Sequence, residues 1–268
     1  MPAISGNAQK TALLAASINH ILVVEDQPVA AEVVKQILTD LNCNVDIATN
    51  GLNAVALTKQ KHYDLIFMDI GLPDIDGYEV TKQIRLSENF STHRTPIIAL
   101  TAHADLESKE FCLTVGMNAV LTKPLVKKQA LQILEVFLPN HTNNTADSTA
   151  DIALSTLKEE AVNYKIAKSI LGQDEIIKKV LIMLANSLAE ERNTLDNAYA
   201  KKDWKKIQEI AHKFSGGASY CGALRLQEAC SILKEGIAKG NLELSESYYQ
   251  KMREEMQAFT QYVSDIHL

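Results

Sequence analysis

No stretch of the 268 residues approaches the roughly 18 consecutive apolar side chains of a membrane-spanning helix, so no direct membrane insertion is expected. No long run of Lys and Arg occurs, and the net charge is −6, which argues against nucleic acid as a partner. None of the four cysteines forms a C-x-x-C pair; Cys43, Cys112, Cys221 and Cys230 each sit in apolar surroundings and read as reduced, buried thiols of a cytoplasmic protein. Beyond Pro139 there is no proline at all. The first residues lack the basic-then-apolar order of a secretion signal. Residues 1–18 read as a tail or linker, whose abruptness fits a chain cut from a longer one.

What is present is a core-forming composition, 46% hydrophobic, at a length that suits two domains of roughly 100–150 residues. Short apolar runs alternate with helical patterns from Ile21 to Leu138. Buried-strand runs are Ile21–Val24, Leu65–Met68 and Pro96–Leu100, with weaker strands at Asn44–Ala48 and Ala119–Leu121. Helical spacing fills Val29–Leu41, Asn50–Lys61, Tyr78–Leu86, Asp105–Val115 and Val126–Phe137, and Gly116 is a candidate C-cap. Strands apolar on both faces imply an α/β domain over residues 19–138, a doubly wound five-stranded parallel sheet covered on each side. Residues 139–151 are polar and rich in Asn and Thr, a linker. Over residues 152–268 strand signals vanish, and amphipathic patterns near 155–171, 173–199, 203–220, 223–238 and 243–266 imply an all-α antiparallel helical bundle.

A doubly wound sheet delivers its strand ends to one edge, where ligands bind. The first strand stops at Glu25 and Asp26, the third at Asp69, the fourth at Thr101 and the fifth near Lys123. Three carboxylates meeting at one edge repel each other and call for a cation or a proton. An oxygen-only ligand set suits Mg²⁺. A hydroxyl and an ammonium beside it suit phosphoryl oxygens, so the residue types point to metal-dependent phosphoryl chemistry. Asp74-x-Asp76-Gly77 also looks like the nucleophile motif of a phosphatase class, but Gly71-Leu72-Pro73 separates it from the strand that should precede it.

Val23-Val24-Glu25-Asp26, Met68-Asp69-Ile70-Gly71-Leu72-Pro73, Asp76-Gly77, Leu100-Thr101-Ala102 and Leu121-Thr122-Lys123-Pro124 resemble, in order and spacing, the flavodoxin-like receiver domain of two-component signalling. That resemblance implies that Asp69 is the phosphoacceptor. It implies further that Glu25, Asp26, Asp69 and the main-chain carbonyl of Gly71 hold Mg²⁺, that Thr101 bonds the phosphoryl group, and that Lys123 pairs with one of its oxygens. Val120 stands where output-driving receivers often carry an aromatic switch residue.

In the second segment, Ile207, Ile210, Ala211 and Phe214 share one helical face, and His212 lies about 140° from Ile207, off the apolar stripe and expected in solvent. Ser215, Gly216 and Ser219 follow on its side. Glycine inside a helix costs up to about 1 kcal/mol, so the Gly216-Gly217 pair needs a reason, and close approach of a partner surface is one. Residues 211–226 resemble the signature of histidine phosphotransfer domains, which implies that His212 exchanges phosphate with an aspartyl phosphate. Ser215 stands where members usually carry Lys, and Lys213 lies on another side of the helix. A zinc site on His212 and Cys221 lacks further spaced ligands.

The order receiver, linker, phosphotransfer domain resembles the C-terminal part of tripartite hybrid sensor histidine kinases. It implies a phosphorelay from an upstream sensor histidine kinase through Asp69 and His212 to a downstream response regulator, in the cytoplasm and membrane-tethered if part of a longer sensor. No ATP-binding glycine box is evident, so the chain is expected to carry phosphoryl groups rather than draw them from ATP. The competing expectation is a regulator-binding or phosphate-sink module without forward relay. A transcription factor is disfavoured, since no helix-turn-helix with a basic face follows the linker.

Overall fold

The computed structural model describes residues 18–88, 94–102, 106–138, 160–240 and 242–266. The first domain alternates β1 (His20–Val24), α1 (Pro28–Thr39), β2 (Asn44–Ala48), α2 (Gly51–Gln60), β3 (Leu65–Asp69), α3 (Gly77–Ser87), β4 (Ile97–Thr101), α4 (Leu106–Thr114), β5 (Ala119–Thr122) and α5 (Lys127–Phe137). The strands form one parallel sheet in the order β2-β1-β3-β4-β5. Because side chains alternate across a strand, each central strand feeds two cores. Ile21, Val23, Leu65, Phe67, Ile98 and Leu100 face α1 and α5, while Leu22, Val24, Ile66, Met68, Ile97 and Ala99 face the opposite layer.

Helix starts follow local chemistry. Pro28 opens α1, where its missing N–H costs nothing. Asn50 accepts a hydrogen bond from Asn53 N to cap α2, and Asp76 accepts one from Glu79 N to cap α3. The C-cap expected at Gly116 is present, with φ +101°.

The second domain comprises α6 (Tyr164–Leu171), α7 (Asp174–Ala200), α8 (Trp204–Tyr220), α9 (Leu224–Ala238) and α10 (Leu242–Asp265). Helices α7 to α10 pack as a four-helix bundle, with α6 laid against α7 and α8. Of the helix expected over 155–171, the structure describes α6 from Tyr164, its start capped by Asn163, which accepts from Ile166 N; residues 155–159 lie outside the described residues. None of the described helices is long and apolar enough to cross a membrane. The four cysteines are free and buried.

The two domains pack together. Helix α1 lies against α7 and α8, and the core on the α1 and α5 side of the sheet joins that of the bundle in one connected cluster. The fully buried Tyr220 hydroxyl accepts a hydrogen bond from Leu125 N at 3.1 Å, and Lys179 pairs with Glu32.

Candidate phosphoryl-transfer site

The strand-end residues converge as their positions imply. One oxygen each of Glu25, Asp26 and Asp69 lies within 4.8 Å of the others. Glu25 is fully buried and Asp69 almost so. Lys123 enters from the end of β5, with Nζ 2.6 Å from Glu25 Oε2 and 2.8 Å from Asp69 Oδ2. The other Asp69 oxygen accepts from Gly71 N at 3.1 Å. Thr101 ends β4 in register with Thr122, and its carbonyl accepts from Lys123 N at 2.8 Å, which ties the lysine's backbone to that strand.

Burial pushes the Glu25 carboxyl up to about 8; Lys123 opposes the rise and the charges of Asp69 and Asp26 add to it. Burial and then Asp69 raise Asp26 likewise. Burial alone would lower the Lys123 ammonium, but Glu25 and Asp69 outweigh it and the net shift is upward. One lysine against three carboxylates leaves a deficit of positive charge. Among the described residues, Glu25 Oε1 and Asp26 Oδ1 are buried with no partner, and Glu25 Oε2 and Asp69 Oδ2 meet only Lys123. Clustered hard oxygen donors with unsatisfied lone pairs are the donor set that suits Mg²⁺. Gln27, nearly buried, donates from Nε2 to Asp26 Oδ2 at 3.1 Å and so fixes the Asp26 carboxylate.

The Asp74 and Asp76 pair does structural work. Asp74 accepts from Gly51 N and Leu52 N at 2.8 Å each, closing the loop onto the start of α2, while Asp76 caps α3. Val120 is partly buried against the core opposite α1.

His212 departs from its expected exposure. It is half-buried, because the receiver edge covers it: a Cβ built on Gly71 would lie 2.7 Å from its Nε2. The ring nitrogen thus points at the backbone two residues past Asp69. Burial, then the charge of Lys234, push the imidazole down to about 4; Lys123 adds to this and Asp69 opposes it, so the ring is neutral near pH 7. The glycine pair finds its reason in packing. A Cβ on Gly216 would touch Gln27, and one on Gly217 would press on Leu184 at 3.1 Å and Val29 at 3.5 Å. Small residues let α8 sit close to both α1 and α7. Ser219, which the helical spacing put on the His212 side, is buried and donates to Gly216 O. Cys221 is fully buried and donates to backbone carbonyls of α8.

Tyr220 and Lys234 escaped the sequence reading. Nothing local marks Tyr220 as an interdomain donor–acceptor, but Gln227, Ser231 and Lys234 at i, i+4 and i+7 of α9 form a readable polar stripe.

A parallel sheet whose acidic edge meets a helix-borne histidine defines a protein of two-component phosphorelay signalling. Residues 21–135 match the response regulator receiver domain and residues 179–262 the Hpt domain, and the chain belongs to the proteins that join these two. The sensor histidine kinase GacS of Pseudomonas protegens is 30% identical over 240 residues, covering 85% of this chain and 26% of GacS. The histidine-protein kinase BarA of Escherichia coli is 27% identical over 225 residues, covering 83% of this chain and 24% of BarA. The chain therefore spans about a quarter of the length of these relatives. A solved receiver domain, that of the sensor histidine kinase PA1611 of Pseudomonas aeruginosa with a magnesium ion in its active site cleft, is 40% identical, with a TM-score of 0.42 over 46% of this chain and 99% of that one.

Proposed function

We propose that this chain relays a phosphoryl group within itself, from Asp69 to His212. The observation that carries the reading is His212 Nε2 facing Gly71, two residues from Asp69, at the edge where three carboxylates and Lys123 meet. Asp69 takes the group from a phosphohistidine of an upstream sensor histidine kinase, and His212 gives it to an aspartate of a downstream response regulator. The setting is the cytoplasm, as four free buried thiols favour, with no nucleic acid involved.

In the first step a carboxylate oxygen of Asp69 attacks phosphorus in line, and the incoming imidazole leaves. In the second, the lone pair of neutral His212 Nε2 attacks the phosphorus of phospho-Asp69. The N–P bond forms as the P–O bond to Asp69 breaks, and the ring keeps its Nδ1 proton. Lys123 then receives the restored carboxylate. Thr101 donates its hydroxyl to a phosphoryl oxygen. Glu25, Asp26, Asp69 and the Gly71 carbonyl would hold Mg²⁺, which when bound neutralises phosphoryl charge. The protein's own part is positioning and charge compensation.

The test is labelling with acetyl phosphate and Mg²⁺ on wild type, Asp69→Asn and His212→Gln. Wild type is expected to carry both hydroxylamine-sensitive acyl phosphate and hydroxylamine-resistant phosphoramidate. His212→Gln should carry only the former and Asp69→Asn neither. Label on Asp69→Asn overturns the assignment. Phosphate that reaches His212 but passes to no regulator would make the chain a phosphate sink.

A further inference from the structure

A cavity of about 170 Å³ opens between the two domains beside His212. Gln27, Ala102 and Lys123 line it from the receiver, and His212, Ser231 and Lys234 from the bundle. His212 and Lys123, the lysine paired with Asp69, both line it, so a phosphoryl group on His212 lies against these walls and needs positive charge around it.

The cations nearby are not equally available. Lys123 is committed to Glu25 and Asp69. Lys213, next to His212 in sequence, pairs with Glu191 at 2.8 Å. Ser215, a turn along from His212, offers no charge and is 3.2 Å from Ser231, hydroxyl to hydroxyl. The ammonium of Lys234 has no ion pair or hydrogen bond among the described residues, and it feels the charges of both Asp69 and Lys123. Its helix is held in place: Gln208 Nε2 donates to the Lys234 carbonyl at 3.2 Å, and the serine pair joins α9 to α8. Burial lowers the Lys234 ammonium, the same desolvation that strengthens its pull on an anion.

A second argument concerns what travels with the phosphate. Once His212 is phosphorylated and leaves the receiver edge, Lys123 and the carboxylate site stay behind. The phosphoramidate, a group of roughly −2 charge, keeps only what the bundle supplies. We infer that Lys234 is the phosphoryl-binding cation of the bundle, holding an oxygen of the group as it arrives at His212 and remaining with it after the domains part. This rests on the Asp69–His212 exchange proposed above.

The experiment uses the full chain as wild type, Lys234→Gln and Lys234→Arg, with acetyl phosphate as donor and hydroxylamine to separate the two phosphates. Lys234→Gln is expected to slow His212 labelling on the order of tenfold and to shift the His212-to-Asp69 ratio by a similar factor toward Asp69. Asp69 labelling, read in the His212→Gln background, is unchanged by Lys234→Gln. Lys234→Arg keeps most of the rate, and melting temperatures stay matched. Equal rate and ratio in wild type and Lys234→Gln overturn the inference, as does a loss that Arg does not restore. A wild type that places no phosphate on His212 overturns the exchange itself and this role with it.

Discussion

Nε2 of His212 stands where a side chain on Gly71 would begin, 2.7 Å from the position its Cβ would take. Gly71→Ala therefore forces the imidazole to withdraw. Because misplacement by about 1 Å costs up to about a hundredfold in a positioned transfer, Asp69-to-His212 transfer is expected to fall between tenfold and a hundredfold. Acetyl phosphate should still label Asp69. Rapid-quench transfer kinetics check this, and an unchanged transfer rate would disprove the approach of His212 over Gly71.

Tyr220 links the domains by one buried hydrogen bond to Leu125 N. Tyr220→Phe leaves that N–H buried without its partner, at a cost of about 1–3 kcal/mol. The variant should dock less tightly, visible as greater protease access at α1 or a larger radius in small-angle scattering. A fully closed Tyr220→Phe chain would contradict the link.

The pair Lys179–Glu32 crosses the same interface at its rim, with the Lys179 side chain 57% exposed. Exposed pairs contribute about 0.2–1 kcal/mol. Lys179→Ala should leave docking nearly intact, with far less effect in the same scattering measurement than Tyr220→Phe. The reverse ranking would mean that the rim ion pair, rather than the buried hydrogen bond, holds the domains.

Glu25 Oε1 and Asp26 Oδ1 are buried without partners. A divalent ion that satisfies them stabilises the folded state by mass action, about 2.7 kcal/mol at a hundred times its dissociation constant. Mg²⁺ should raise the melting temperature of the wild type, and a chelator should reverse the rise. Asp26→Asn should lose most of the gain. Scanning calorimetry decides it: a Mg²⁺-dependent shift undiminished in Asp26→Asn would place the ion elsewhere.

The receiver edge was legible because each of its residues is stationed by its own strand. Glu25, Asp69 and Thr101 follow apolar runs that read as buried strands and Lys123 follows a weaker, partly buried one, and a parallel sheet brings such ends together whatever the side chains between. His212 was legible through the glycines beside it. Its burial was not, since covering a helix face with another domain leaves no periodic trace in the covered helix. Lys234 reads as an ordinary solvated charge until the cavity is seen. The Asn163 cap that opens α6 is a local signal that the periodic reading passed over.

The docking of α8 on its own receiver edge gives the chain a built-in competitor. Under the proposed relay, a regulator that draws phosphate from His212 would have to use the helix face that Gly71, Gln27 and Val29 already occupy. Covalently tethered surfaces meet at effective concentrations around millimolar, so a micromolar rival gains entry only during openings of the pair. In that relay, output speed would be set by how often the molecule lets go of itself, and substitutions along the seam, far from any reacting atom, would tune signalling as a timing element.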